Sequence, residues 1–432
     1  MSSSRYLKSE KMLKRAQKVI PLGSQTFSKS ITQYPLGISP LYIAKGKGSQ
    51  VWDVDGNQYV DFVNALASVL LGYDDKDVTR AVQKQIEGGV NFSLPHPIEI
   101  EVAESLVEMI PCAEMVRFGK NGSDATAAAI RLSRSYTNRD HIAICGYHGW
   151  QDWCIGVTSM NSGVPKLVQE LSHTFIYNDI SSLKSIFQKY PNQIAAVILE
   201  PMNIKYPEKE FLEEVKNIAN FHNAILIFDE TITGGRFSIG GAQDLFSVTP
   251  DLATFGKGIA NGFPLSAIVG KREIMKHMKD IFFSGTFSGE TSALAAAKVV
   301  LGKIQNTSLL KEIEKKGERL VYDINLLISK YSLENIFYIS GHPSWSFLNI
   351  KNNDSIDPMA IKTLVLQEMF AQGIIFIGSH NISSAHSDKD LNKLLFAYDN
   401  IFPLVKKAIE NNTIMDYLRV RPITPLFQVR NK

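Results

Sequence analysis

Three short runs in the middle of the chain, Ile142-Ala143-Ile144-Cys145, Ala195-Ala196-Val197-Ile198-Leu199 and Ile225-Leu226-Ile227-Phe228, are apolar at every position. A strand with one wet face alternates apolar and polar residues, whereas a run without alternation is covered on both faces, the mark of a parallel sheet lying between helices. Between the last two runs, Phe211, Leu212, Val215, Ile218 and Ala219 follow helical spacing within Glu208 to Asn220. That segment supplies the crossover that parallel neighbours require. The expected fold is α/β, with a mostly parallel central sheet between helices.

A chain of 432 residues, 44% of them hydrophobic, exceeds one compact domain. Near the start, Glu10 to Ile20 reads as an amphipathic helix stopped by Pro21, followed by an extended arm; Val51 to Val54 and Gln58 to Phe62 flank an Asp55-Gly56 step and predict a hairpin. From about Leu301 longer helical stretches take over, separated by strand-like pieces at Trp345 to Ile350 and Gly373 to Ile377. We expect an N-terminal arm and hairpin over 1–70 belonging to a small α+β domain, a large ligand-binding domain over 71–304, and the rest of the small domain over 305–432. Formal charge is +3 with the two signs mixed along the chain, which gives no support to a nucleic-acid or polybasic membrane role. Cys112, Cys145 and Cys154 form no C-x-x-C pair, the start carries charges where a signal peptide needs an apolar core, and no stretch reaches the roughly 18 apolar residues of a membrane span. These features suggest a cytoplasmic protein with reduced thiols and no metal site.

In open α/β sheets ligands bind beyond the carboxyl ends of the strands, so polar residues that directly follow apolar runs come first. Four places qualify. Gly119 to Thr126 opens a strong helix former, and its free N–H groups, with Ser123 and Asn121, suit a phosphate as well as a plain helix cap. Gly146-Tyr147-His148-Gly149 lets backbone approach a flat ligand beside an aromatic ring, though core packing and a structural histidine serve equally. Asp229-Glu230-Thr231 ends an apolar run, and a carboxylate so placed needs a cation: a protonated ring nitrogen, a magnesium ion or a salt-bridge partner. Lys257, between Gly256 and Gly258 after an apolar stretch, is poorly explained as a solvated charge; burial would lower its pKa and leave an amine able to attack a carbonyl.

Taken in order, NGSDAT, YHG, LEP, FDE, FGKGIANGFPLSA and SGTFSG resemble the class III aminotransferases of pyridoxal-phosphate fold type I, nearest to the glutamate semialdehyde aminomutase branch. The likeness runs from KRAQKVIPLGS through VWDVDGNQYVDF to SSAHSDKDL, nearly the whole chain. It implies pyridoxal 5'-phosphate held as a Schiff base on Lys257, with Asp229 keeping the pyridine nitrogen protonated so that the ring acts as an electron sink. The implied cofactor set is Gly122, Ser123, Tyr147, His148, Asp229, Thr231, Lys257 and Thr286, with Tyr147 and Thr231 on opposite ring faces. Thr286 would come from the neighbouring subunit of a homodimer, and Glu200 would face the substrate. The chain departs from the family's usual Asn-Ser-Gly-Thr-Glu at Lys120 to Asp124, carries Thr231 for a common valine, and lacks a glycine-containing continuation after Glu200-Pro201. TFSKS, YHGWQDW and the tail PLFQVR look like a subgroup associated with sugar-derivative genes. The reading is an aminotransferase delivering an amino group, with glutamate as donor, to an aldehyde or ketone of a sugar-like or other small acceptor. Its alternatives are an intramolecular aminomutase, a racemase of the same fold and a silent scaffold; Arg236, Arg419 and Arg421 stand as carboxylate binders on residue type alone.

Overall fold

The computed structural model describes residues 5–352 and 357–424, so the tail motif noted above lies outside it. Two compact units emerge. One comprises residues 68–70 and 76–310, the other the described residues of 5–67, 71–75 and 311–424.

The first unit is built on a mixed sheet of seven strands among the described residues: β1 (Met115–Gly119), β2 (His141–Cys145), β3 (Ser172–Thr174), β4 (Ile194–Leu199), β5 (Ile225–Asp229), β6 (Leu252–Phe255) and β7 (Ser266–Gly270). Their spatial order is β1-β7-β6-β5-β4-β2-β3. Strands β3, β2, β4, β5 and β6 run parallel, and β7 is antiparallel to both neighbours. The exception follows from chain length: only residues 256–265 join β6 to β7, too few for a crossover helix, so the chain must double back. Strands β4 and β5 are buried along their whole length, as the unbroken apolar runs require. Helix Phe211–Phe221 links them, and Gly122–Thr137 packs its alanine-rich face over the sheet. Ala128, Ala129, Ile130 and Leu132 meet Ile142, Ile144, Ile198, Ile227 and Ile268 in one core.

In the second unit the expected hairpin forms from Gln50–Asp53 and Gln58–Asp61, widened by Ile43–Lys47 on one edge and Ile374–Ile375, parallel, on the other. Gly56 takes a φ of 92° at the turn, and Asp55 turns back to accept hydrogen bonds from the N–H groups of Lys8 and Ser9 at 2.6 and 2.9 Å. The first helix therefore begins earlier than its periodicity suggests, at Leu7, and ends at Ala16. The arm that follows is not simply extended; it coils into short 3-10 turns at Pro21–Gly23 and Phe27–Lys29. Trp345–Ile350 is a strand as expected, while only Ile374–Ile375 of the Gly373 to Ile377 stretch is one, and beyond Gly378 (φ 113°) a separate strand, Ser379–Asn381, joins a different sheet.

Ile198 has no exposed surface and sits in the middle of the first unit's core. Ile198→Ala should cost about 2–5 kcal/mol in urea unfolding of that unit, through lost burial plus a cavity. Ile239→Ala, at a position 41% exposed, should stay within about 0.5 kcal/mol of the parent.

Candidate active site

The carboxyl ends of the parallel strands deliver every major polar group of the site. β1 leads to Gly122, β2 to Tyr147 and His148, β4 to Glu200, β5 ends in Asp229, and β6 runs into Lys257. Five chain segments distant in sequence thus converge because the sheet aligns their ends.

Asp229 is 5% exposed. Its Oδ2 lies 2.8 Å from His148 Nδ1, while Oδ1 accepts from Thr231 Oγ1 at 2.5 Å, Thr231 N at 3.1 Å and Thr254 Oγ1 at 3.1 Å. Burial acts to raise its pKa, but the His148 contact and the Thr231 donors outweigh it and hold the carboxyl below its ordinary range. The imidazole of His148 is itself 3% exposed, with Nε2 3.0 Å from the Cys145 carbonyl oxygen. Acceptors flank both ring nitrogens, so the His148 imidazole is engaged within the protein and braces Asp229. The chain reaches His148 through a sharp bend at Gly146 (φ 105°). Glu230 points to the opposite face, as strand alternation demands, and is fully engaged by Thr233, Ala242 and Gln243.

Lys257 opens a 3-10 turn, Lys257–Ala260, with a left-handed φ of 48°. For a residue with a Cβ that conformation stores about 1–2 kcal/mol, and such strain concentrates at functional positions. Burial lowers the pKa of the amine; the carboxylates of Glu200 and Asp229 oppose the shift, and Arg236 reinforces it. Lysine and aspartate therefore share one electrostatic environment. Glu200 has the reverse fate from Asp229: burial and the Asp229 charge push it up to about 7 despite a 2.6 Å hydrogen bond from Asn203 Nδ2. Neighbouring carboxyls driven apart in this way provide one fixed anion and one group that exchanges protons near neutrality.

Opposite them lies a cup. The N–H groups of Gly122 and Ser123, at the start of a helix of 16 residues, have no acceptor among the described residues. Three glycines keep the cup open: a Cβ on Gly149 would lie 2.3 Å from Ser123 Oγ, and Cβ atoms on Gly122 and Gly256 would lie 3.0 and 3.2 Å from the Thr231 methyl. Asp124 fixes the rim by accepting from the N–H groups of Lys120 and Asn121 at 3.0 and 2.8 Å. Thr231 thus turns its hydroxyl to Asp229 and its methyl to the cup. Tyr147 is 42% exposed. Thr286 sits on an exposed loop and lines a cavity with Lys120, Asp124, Arg131 and Phe287. Among the arginines, Arg236 is buried beside the lysine, Arg419 is paired with Glu368 at 3.1 Å in the other unit, and Arg421 is exposed. The sequence reading missed Thr254 and Asn203. Thr254 faces Asp229 because the two are register partners on β6 and β5, a pairing that no local motif encodes.

A nucleophilic amine, an ionised buried carboxylate and an anion-binding helix start, all at one sheet edge, define an enzyme that binds a phosphorylated, carbonyl-bearing heterocycle. Residues 34–386 match the family model for class-III aminotransferases, and the chain belongs to that family. It is 33% identical over 412 residues to the 3-aminobutyryl-CoA aminotransferase of Cloacimonas acidaminovorans, covering 93% of this chain and 98% of that one. It is also 33% identical over 417 residues to the glutamate-1-semialdehyde 2,1-aminomutase of Sulfurihydrogenibium azorense, covering 90% and 97%. Among solved structures, the FumI protein of Sphingopyxis sp. MTA144 in its PLP internal aldimine form superposes with a TM-score of 0.87 at 26% identity over 94% of this chain and 98% of that one. An omega-transaminase from Sphaerobacter thermophilus gives 0.84 at 25% identity, covering 92% and 98%. The protein is a pyridoxal-phosphate-dependent enzyme of fold type I.

Glu200 sets a pH signature. Its folded pKa lies above its unfolded value, so the folded state holds the extra proton between about pH 4.5 and 7, and stability falls as pH rises through that window. Glu200→Gln should therefore stabilise the cofactor-free protein at pH 8, on the order of 1 kcal/mol after allowing for partial solvent contact, and leave it unchanged at pH 4.5. Melting curves at the two pH values check this. Gly149→Ala should weaken cofactor binding by tenfold or more, on the order of 1.4 kcal/mol, because its methyl collides with Ser123; equilibrium titration of the cofactor-free protein measures it.

Proposed function

We propose that the protein is an aminotransferase that takes an amino group from a donor, with glutamate as the first choice, and delivers it to an aldehyde or ketone carbon of a sugar-like or other small acceptor. The observation that carries this reading is the shared environment of Lys257 and Asp229 at the mouth of the Gly122–Ser123 cup. Both residue types and the open cup fit pyridoxal phosphate: N–H donors for its phosphate, a carboxylate for its ring nitrogen and an amine for its carbonyl. When bound, the cofactor supplies the electron sink that makes a carbon–hydrogen bond next to nitrogen acidic.

The chain's own groups do the rest. Gly122 and Ser123 hold the phosphate, and Tyr147 covers one side of the ring. Asp229, kept ionised by His148, Thr231 and Thr254, holds the proton on the ring nitrogen. Lys257, with its lowered pKa, would hold the cofactor through its carbonyl and, when freed, would serve at its Nζ as the base that takes up and returns a proton. Glu200, which exchanges its proton near neutrality, faces the substrate. Trp150, 64% exposed and hydrogen-bonded through its main-chain N–H to Ser123 Oγ at 3.3 Å, offers a flat surface at the rim that suits a polyhydroxylated acceptor. Thr286 completes the phosphate site of a second copy in a homodimer, and the exposed Phe282 and Phe287 around it suit burial in that interface.

A second reading, intramolecular amino transfer, is favoured by the relatives named as glutamate-1-semialdehyde aminomutases. One measurement separates the two. Given L-glutamate and no acceptor, an aminotransferase releases about one equivalent of 2-oxoglutarate per site; an aminomutase releases none. Lys257→Ala should lower turnover by at least 10³-fold while circular dichroism and oligomeric state stay unchanged. Near-parental transamination by that variant would refute the assignment.

A further inference from the structure

The loop that carries Thr286 is held by the element that builds the phosphate cup. Arg117 on β1 donates from Nη2 to the carbonyl oxygen of Phe283 at 3.1 Å, and Arg131 on the helix after the cup donates from Nη1 to that of Phe282 at 3.2 Å. At the other end, Lys120 on the rim of the cup pairs with Glu290 at 3.0 Å, both side chains largely shielded from solvent. Glu290 is in turn the N-cap of helix Thr291–Asn306, accepting from the N–H groups of Ser292 and Ala293. Burial acts to raise the Glu290 pKa, but its hydrogen bonds with Ser292 and Lys120 bring it below the ordinary range, so the pair is charged. Inside the loop, tight turns from Ser288 N to Gly285 O and from Glu290 N to Phe287 O set the backbone on either side of Thr286. One strand–loop–helix therefore grips both ends of a loop whose own side chains, Thr286 and Phe287, face away into solvent.

We propose that Arg117, Lys120 and Arg131 form a cationic clasp, with Lys120 as the chief positioning residue, that shapes the 284–289 loop so that Thr286 of each subunit reaches the cofactor phosphate of its partner. The inference rests on the shared-site homodimer proposed above and goes beyond it by naming what holds the donor loop. It has an unusual consequence: a residue two positions from a subunit's own phosphate cup acts on the other subunit's site.

Mixed dimers test it. One subunit carries Lys257→Ala, so that borohydride fixes cofactor only on the surviving Lys257 of the other, and intact mass counts the labelled chains over a titration with pyridoxal phosphate. Placing Lys120→Met on the Lys257→Ala subunit should raise the concentration needed to load the surviving site by roughly fivefold. Thr286→Val on that same subunit should act in the same direction, and Lys120→Arg should restore loading. Lys120→Met on the surviving subunit should change loading by less than about twofold. Size-exclusion chromatography and melting curves confirm that each mixed dimer is assembled and folded. If Lys120→Met weakens only its own chain's site, the lysine is a local electrostatic aid and the proposal falls. If Thr286→Val also acts only on its own chain, the shared-site reading falls with it, so the two failures are told apart.

Discussion

The site depends on keeping one carboxylate charged where charge is costly. Asp229 ends a strand with no wet face, and an isolated anion there would take up a proton and lose its use. The fold answers with donors from three directions: an imidazole from the β2 side, a hydroxyl and N–H from the next turn, and a hydroxyl from β6. The ring behind it is itself anchored on a main-chain carbonyl, so the support does not drift. Because those donors are satisfied within the protein, the carboxylate is preorganised before any ligand arrives.

Glu200 shows the same physics with the opposite result. It lies near the Asp229 charge, has Asn203 as its one side-chain donor among the described residues, and has its pKa pushed up to about 7. Two carboxyls of the same site thus differ through the donors and charges around them: His148 and Thr231 favour the anion at Asp229, and the Asp229 charge disfavours it at Glu200. That difference lets one act as a permanent counter-charge and the other as a group whose proton is negotiable at physiological pH.

Much of this was legible before the structure. Lys257 and Asp229 stood out because polar residues at the end of all-apolar strands are expensive unless used; the helix start at Ser123 stood out for its free N–H groups, and the segment at Tyr147 for the glycines on either side. Pairing across strands was not legible: Thr254 meets Asp229 only once β5 and β6 are in register, and a sequence does not print register. The contact between His148 and Asp229 was likewise hidden, since the two are distant in sequence. The antiparallel β7 followed from the shortness of the segment before it, a clue present in the numbers but silent until the strand ends were known.

That short segment has an evolutionary corollary. Residues 256–265 close a tight reversal between two fully buried strands, and Lys257 sits at its first bend in a backbone state that few side chains accept. A residue added or removed before Lys257 would shift where its side chain leaves the strand end, so the start of this stretch tolerates changes of length poorly. Diversity in what such a scaffold can accept must accumulate elsewhere, in stretches such as 202–206 after Glu200-Pro201, where the chain runs partly exposed and no strand follows at once to dictate its course.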